Sequence, residues 1–211
     1  MITDETAAKV AEFLLQIKAV VLNPDDPFTW SSGWKSPIYC DNRKTLSYPK
    51  VRTFIRQSFH KLIDNHFGNP DVIAGVATGG IAHGALVAQD MGLPFVYVRT
   101  KSKDHGLENQ IEGVIEAGQT AIVIEDLIST GKSSLRAVKA LQDAGVQVKG
   151  LVAIFSYGLE IAEKNMKDAK CMHYTLSDYN TLIEQALKSG YIQKGSLDTL
   201  QKWRSSPEKW K

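Results

Sequence analysis

Residues 122–134 read IVIEDLISTGKSS. Three apolar residues lead into Glu125 and Asp126, two more follow, and then come Ser129, Thr130, Gly131, Lys132, Ser133 and Ser134. The apolar run of 120–126 predicts a buried strand, and the apolar spacing beyond Gly131 predicts a helix over 132–144 that stops at Gly145. A strand followed at once by a helix is the unit of a parallel sheet, and ligands of such sheets collect beyond the carboxyl ends of the strands. The free amides opening the helix carry partial positive charge and attract phosphate. Gly131 permits close backbone approach, and the hydroxyls of Ser129, Thr130, Ser133 and Ser134 add donors. Glu125 and Asp126 repel a phosphate, but they suit ribose hydroxyls or a hydrated Mg²⁺. An N-capped turn by itself does not need two consecutive acids. The G-x-x-x-x-G-K-[ST] phosphate loop is a poor match, because it needs glycine five residues before Gly131, where Asp126 stands. A ligand that satisfies both halves of the stretch is a sugar diphosphate with its metal.

The same alternation extends outward. The stretch DVIAGVA at 71–77 is a short strand ending in Thr78, Gly79 and Gly80. It is followed by a helix over 81–91 that stops at Gly92, and then by a strand PFVYVR at 94–99. IEGVIE at 111–116 alternates as a half-exposed strand, VKGLVAIF at 148–155 is a further strand, and a helix follows near 159–168. This order predicts an α/β fold, a mostly parallel sheet with helices on both faces. Upstream, Val10, Phe13, Leu14 and Ile17 share one face of a helix over 3–18 with Thr3 as N-cap. Val51, Phe54, Ile55, Phe59, Leu62 and Ile63 face inward from a helix over 48–66. Residues 27–43, PFTWSSGWKSPIYCDNR, are aromatic and rich in Ser, Gly and Pro, and predict a short hairpin or irregular lobe. Helical patterns over 178–188 and 195–204 are expected to pack with residues 1–45 as a small hood. The whole chain, 1–211, is then a single domain with its core at about 48–170.

Composition narrows the function classes. With 211 residues, 43% of them hydrophobic, the chain is an ordinary globular domain, and a net charge of +2 gives no basis for polyelectrolyte binding to nucleic acid. Cys40 and Cys171 have no metal-ligand spacing and form no disulfide framework. The first residues lack the basic-then-apolar order of a secretory signal, and no apolar run is long enough to span a bilayer. The expected setting is the cytoplasm, with neither nucleic acid nor membrane as partner.

A second informative stretch is VRTKSKDHGLENQIEG at 98–113. Most charged runs are solvated loops. Here Arg99, Lys101, Lys103 and His105 cluster ahead of Gly106 between two strands, and a loop of that kind can close over a diphosphate, neutralise it and exclude water.

Taken together these motifs resemble the type I phosphoribosyltransferases. VIEDLISTGKSS resembles their signature for phosphoribosyl diphosphate (PRPP), an apolar run, two acids, a spacer and T-G-x-[ST]. K-x-K-D-H-G between strands resembles the catalytic loop of the orotate phosphoribosyltransferase family. GVATGGIAHG at 75–84 resembles the diphosphate-binding turn, and FTWSSGWKSPIYCDNR at 28–43 resembles the N-terminal hood segment. The resemblance spans roughly residues 10–160. It implies transfer of ribose 5-phosphate from PRPP to orotate, giving orotidine 5′-monophosphate and diphosphate in pyrimidine (UMP) synthesis, with Mg²⁺ held mainly through PRPP and through water by Glu125 and Asp126. The catalytic residues implied are Lys103, His105 and Asp126. PRPP contacts fall to Arg99, Lys101, Lys103 and His105, to Thr78, Gly79 and Gly80, and to Glu125, Asp126, Leu127, Ile128, Ser129, Thr130, Gly131, Lys132 and Ser133. Orotate falls to Ser129, with Lys35 expected as a substitute cation for the orotate-holding residues of the family that this chain lacks. In that family the loop, here 99–113, acts in trans within a homodimer.

The chain departs from one branch of that family. A lysine preceding the Ser-Gly of the hood is here Ser31, and an arginine after strand 148–155 is replaced by Ser156, Tyr157 and Gly158. The PRPP half of the site is therefore better defined than the base half. Two other readings stay open at this level: a phosphoribosyltransferase for another base, and a non-catalytic PRPP sensor.

Overall fold

A computed structural model describes residues 3–30, 33–99 and 110–210. The expectations for Ser31, Lys101, Lys103 and His105 lie outside the described residues.

The chain opens with helix α1 (Asp4–Gln16), where the Thr3 hydroxyl accepts the Thr6 amide at 3.2 Å as an N-cap. Val10 and Leu14 are fully buried, and Phe13 meets Phe54 edge-on with ring centroids 5.5 Å apart. Four short strands follow: β1 (Val20–Leu22), β2 (Phe28–Thr29), β3 (Lys35–Ser36) and β4 (Ile38–Cys40). β2 and β3 form the small hairpin expected in this lobe. β1 pairs antiparallel with β4, a pairing that three-residue strands do not announce in sequence. A 3₁₀ turn (Asn42–Ser47) leads into α2 (Pro49–His66), with proline in its first turn, where a missing N–H costs nothing.

The core then alternates as predicted. It runs β5 (Val72–Val76), α3 (Gly79–Met91), β6 (Phe95–Val98), β7 (Ile111–Glu112), β8 (Thr120–Ile128), α4 (Lys132–Asp143), β9 (Gln147–Ser156), α5 (Glu160–Asp168), β10 (His173–Asp178), α6 (Tyr179–Lys188) and α7 (Leu197–Ser205). The six strands lie in the order β10-β9-β8-β5-β6-β7, all parallel except the antiparallel edge strand β7. Period-two alternation splits the sheet's side chains into two cores. Ile73, Ile122, Ile124, Val152 and Ile154 face α1, α2, α3, α6 and α7, while Val72, Ala74, Ala121, Val123, Leu151 and Ala153 face α4 and α5.

Two elements differ from the sequence reading. The half-exposed strand expected over 111–116 shrinks to Ile111–Glu112, and Val114 is 82% exposed, because only two residues find a partner on β6. β10 was not anticipated: HYTLSD mixes polar and apolar residues without a clean period, and it becomes a strand because β9 offers a parallel edge from Leu151 to Ser156. Among the described residues, no helix is long and apolar enough to cross a membrane.

Candidate active site

The sheet order places the site. From β5 the chain moves one way to β6 and β7, then returns to the other side of β5 as β8. The crevice between the carboxyl ends of β5 and β8 is thus the topological switch point, where open α/β sheets bind ligands. The turn after β5 is Thr78-Gly79-Gly80, and the end of β8 carries Glu125 and Asp126, so the two stretches predicted to share a ligand meet here.

They meet tightly. A Cβ built on Gly79 would lie 2.2 Å from the Asp126 carboxyl carbon, so only glycine leaves room for that carboxylate over the start of α3. The two acids have different surroundings. Asp126 is half-buried at the crevice, whereas Glu125 is 4% exposed and turned towards α4. One Glu125 oxygen accepts the Ser134 hydroxyl at 3.0 Å, and the other accepts the Asp126 amide at 3.0 Å. Burial foremost, and the neighbouring Asp126 charge second, push the Glu125 carboxyl well above the ordinary range.

The loop after β8 has the form phosphate requires. Gly131, the N-cap residue of α4, has φ of 76°, a left-handed conformation that turns the chain sharply into the helix. The Thr130 carbonyl accepts Asn165 Nδ2 of α5 at 2.9 Å, which braces the loop from behind. The first amides of α4 lack intrahelical acceptors, as at any helix start, and so remain available to an anion. Arg99 stands at the end of β6, where its amide donates to the Gln110 carbonyl at 2.7 Å and its guanidinium lies 3.5 Å from Glu112.

Beside this loop opens a cleft of about 640 Å³ lined by Thr29, Trp30, Trp34, Tyr39, Cys40, Leu127, Ser129, Thr130, Lys132 and Tyr157. Its aromatic wall is assembled from distant parts of the chain. The Trp30 ring lies 5.0 Å from Tyr157 and 5.5 Å from Trp203 of α7, whose indole N–H donates to the Lys35 carbonyl at 3.2 Å. The C-terminal helix α7 is thus fastened to the β2–β3 hairpin. Lys35 reaches the rim indirectly, donating from Nζ to the Thr29 hydroxyl at 2.9 Å. Sequence reasoning did not find Tyr157 and Trp203 as cleft builders; Trp203 offered only its aromaticity, which core packing explains equally well, and Tyr157 only its place where one branch of the family has an arginine. A second cleft of about 660 Å³ between α6 and α7 holds none of the predicted site residues.

This arrangement, a parallel sheet with an acid pair and an anion-binding loop at its switch point, defines a phosphoribosyltransferase domain, and the family profile described as "Phosphoribosyl transferase domain" matches residues 46–185. The chain is 52% identical over 201 residues to the orotate phosphoribosyltransferase of Porphyromonas gingivalis, covering 95% of this chain and 96% of that one. It is 54% identical over 202 residues to that of Listeria monocytogenes, covering 96% and 97%. The crystal structure of orotate phosphoribosyltransferase from Aeropyrum pernix superposes with a TM-score of 0.76 at 26% identity, covering 87% of this chain and 99% of that one. The chain belongs to the orotate phosphoribosyltransferase family.

Proposed function

We propose that the chain transfers ribose 5-phosphate from PRPP to orotate, forming orotidine 5′-monophosphate and releasing diphosphate. The observation that carries this reading is the juxtaposition at one crevice of the Gly79 turn, the Asp126 carboxylate and the left-handed loop at Gly131, with the aromatic cleft alongside. In the reaction a ring nitrogen of orotate bonds to the anomeric carbon as the bond from that carbon to the diphosphate oxygen breaks; the electron pair leaves with diphosphate, which takes up the proton that the ring nitrogen gives up. The amides and hydroxyls of residues 129–133 hold the 5′-phosphate. Asp126 accepts hydrogen bonds from the ribose hydroxyls and steadies the positive charge that develops on the ring. Glu125 supports the loop through Ser134 and the Asp126 amide. The turn amides of Thr78, Gly79 and Gly80, together with Arg99, Lys101, Lys103 and His105, receive the diphosphate. Arg99, Lys103 and His105 act from the partner subunit of a cytoplasmic homodimer.

The donor chemistry suits Mg²⁺, which usually binds through one or two carboxylates plus substrate phosphate oxygens and water. Among the described residues no group of three or more His, Cys, Asp or Glu side chains could hold a metal by itself. Asp126 and the oxygens of PRPP would therefore hold it, and when bound it would neutralise the departing diphosphate.

Orotate is planar and anionic, and the aromatic cleft suits its ring while Ser129, Lys132 and the rim cation Lys35 suit its carboxylate. The test is ultraviolet depletion of orotate or uracil with PRPP and Mg²⁺, for the native chain and for Lys103→Ala. Uracil should turn over far more slowly, and Lys103→Ala should lose on the order of 10²–10³ in kcat. Equal turnover of the two bases would refute the choice of base, and an unchanged Lys103→Ala would refute the loop's role.

A further inference from the structure

β8 extends past its partner β5. Their ladder ends at Gly75 and Ile124, because the chain turns away at Thr78 to form the diphosphate turn. Among the described residues, the last residues of β8 therefore have a strand neighbour only on the β9 side, at the point where the sheet presents Asp126. A backbone carbonyl there needs a donor from elsewhere. That donor is Asn42, a fully buried residue of the hood whose Nδ2 donates to the Asp126 carbonyl at 2.6 Å, across 84 residues of sequence.

Asn42 is itself fixed from two sides. The Cys40 thiol donates to its Oδ1 at 3.2 Å, and burial, reinforced by the Asp126 and Asp41 charges, keeps that thiol protonated. The Asn42 carbonyl accepts the Thr45 hydroxyl at 2.5 Å. With its one proton spent there, Thr45 Oγ1 can only accept from His83 Nε2, 3.2 Å away on α3, which sets the imidazole tautomer. The result is a directed relay of hydrogen bonds from α3, through the 3₁₀ turn, to the end of β8. It joins the helix that opens with the Gly79 turn to the acid that lies over that turn.

We propose that Asn42 is a positioning residue for the transfer reaction, holding the Asp126 backbone so that its carboxylate stays aimed into the crevice above Gly79. The proposal rests on the assignment of Asp126 to the ribose of PRPP. Asn42 is fully buried and acts through Asp126; it replaces the strand that β5 does not supply, and it makes the seating of the 3₁₀ turn and the acid's aim one event. A displacement of about an ångström at a reacting centre is enough to cost on the order of 10² in rate.

The test is a double-mutant cycle on kcat, with KM for PRPP and orotate measured alongside. Asn42→Ala should lower kcat by about 10–100-fold, and Thr45→Val, which removes one hydroxyl and keeps the side chain's volume, by roughly 3–10-fold. In an Asp126→Asn background neither should have further effect, because the group being aimed is already disabled. Losses that multiply with Asp126→Asn, or a native kcat in Thr45→Val, would overturn the proposal, and Thr45→Val decides the matter if Asn42→Ala does not fold. Full activity in Asp126→Asn alone would instead refute the ribose assignment, which separates the two failures.

Discussion

Replacing Gly79 by alanine tests the geometry of the site directly. The added methyl would stand 2.2 Å from the Asp126 carboxyl carbon and 2.3 Å from each carboxyl oxygen, far inside the contact distance of about 3.4 Å. The clash falls on the end of a short side chain, so the carboxylate can swing away by about an ångström while the backbone stays in place. A misplacement of that size costs on the order of 10² in kcat/KM, about 2.7 kcal/mol of transition-state stabilisation. The fold should tolerate the change, since alanine at the start of α3 favours the helix if anything. Gly80→Ala is the contrast: its Cβ would lie 2.2 Å from the Ile124 carbonyl oxygen, a backbone atom within the sheet, so melting temperature should fall steeply along with activity. The assay is orotate consumption at varied PRPP, paired with thermal unfolding of each variant. A Gly79→Ala enzyme within threefold of native kcat/KM, or one destabilised as much as Gly80→Ala, would refute the claim that this contact aims Asp126.

Three further outcomes follow from the same structure. Gly131→Ala forces a side chain into the left-handed region at φ 76°, which should cost roughly 1–2 kcal/mol in urea unfolding and raise KM for PRPP more than KM for orotate. His83 is buried, and that burial lowers its pKa from 6.5 to about 4. The unfolded chain therefore binds the extra proton first, and roughly 3 kcal/mol of stability, fully present above pH 6.5, is lost as the pH falls towards 4. His83→Gln, which keeps a donor for Thr45, should flatten that part of the urea-midpoint profile, and an unchanged slope would show that His83 is not responsible. Ser134→Ala takes the hydroxyl donor from the buried Glu125, and should destabilise the protein by about 1–3 kcal/mol on chemical denaturation.

Much of the fold was legible because its signals are local. The apolar run of β8 and the helical spacing of α4 sit on either side of Gly131 within one short stretch, and period alone separates strand from helix there. The strand end at Asp126 and the turn at Gly131 were legible for the same reason, since both are written in adjacent residues of that stretch. β10 and the β1–β4 pair were not, because a short strand of mixed polarity is stabilised by the edge it joins rather than by its own pattern.

The residue types in 75–84 and 122–134 determined that this chain builds a parallel sheet with an anion-binding loop and an acid pair at its open end. The tertiary structure decided which acid faces the crevice. Strand alternation puts Glu125 and Asp126 on opposite faces, and only the approach of Gly79 on one side and Ser134 on the other shows that Asp126 lies over the Gly79 turn while Glu125 is buried against α4. It also decided that Trp203, Tyr157 and Asn42 belong to the site's construction. Their contacts join segments far apart in the chain, and distances of that kind are set by packing, which no local pattern encodes.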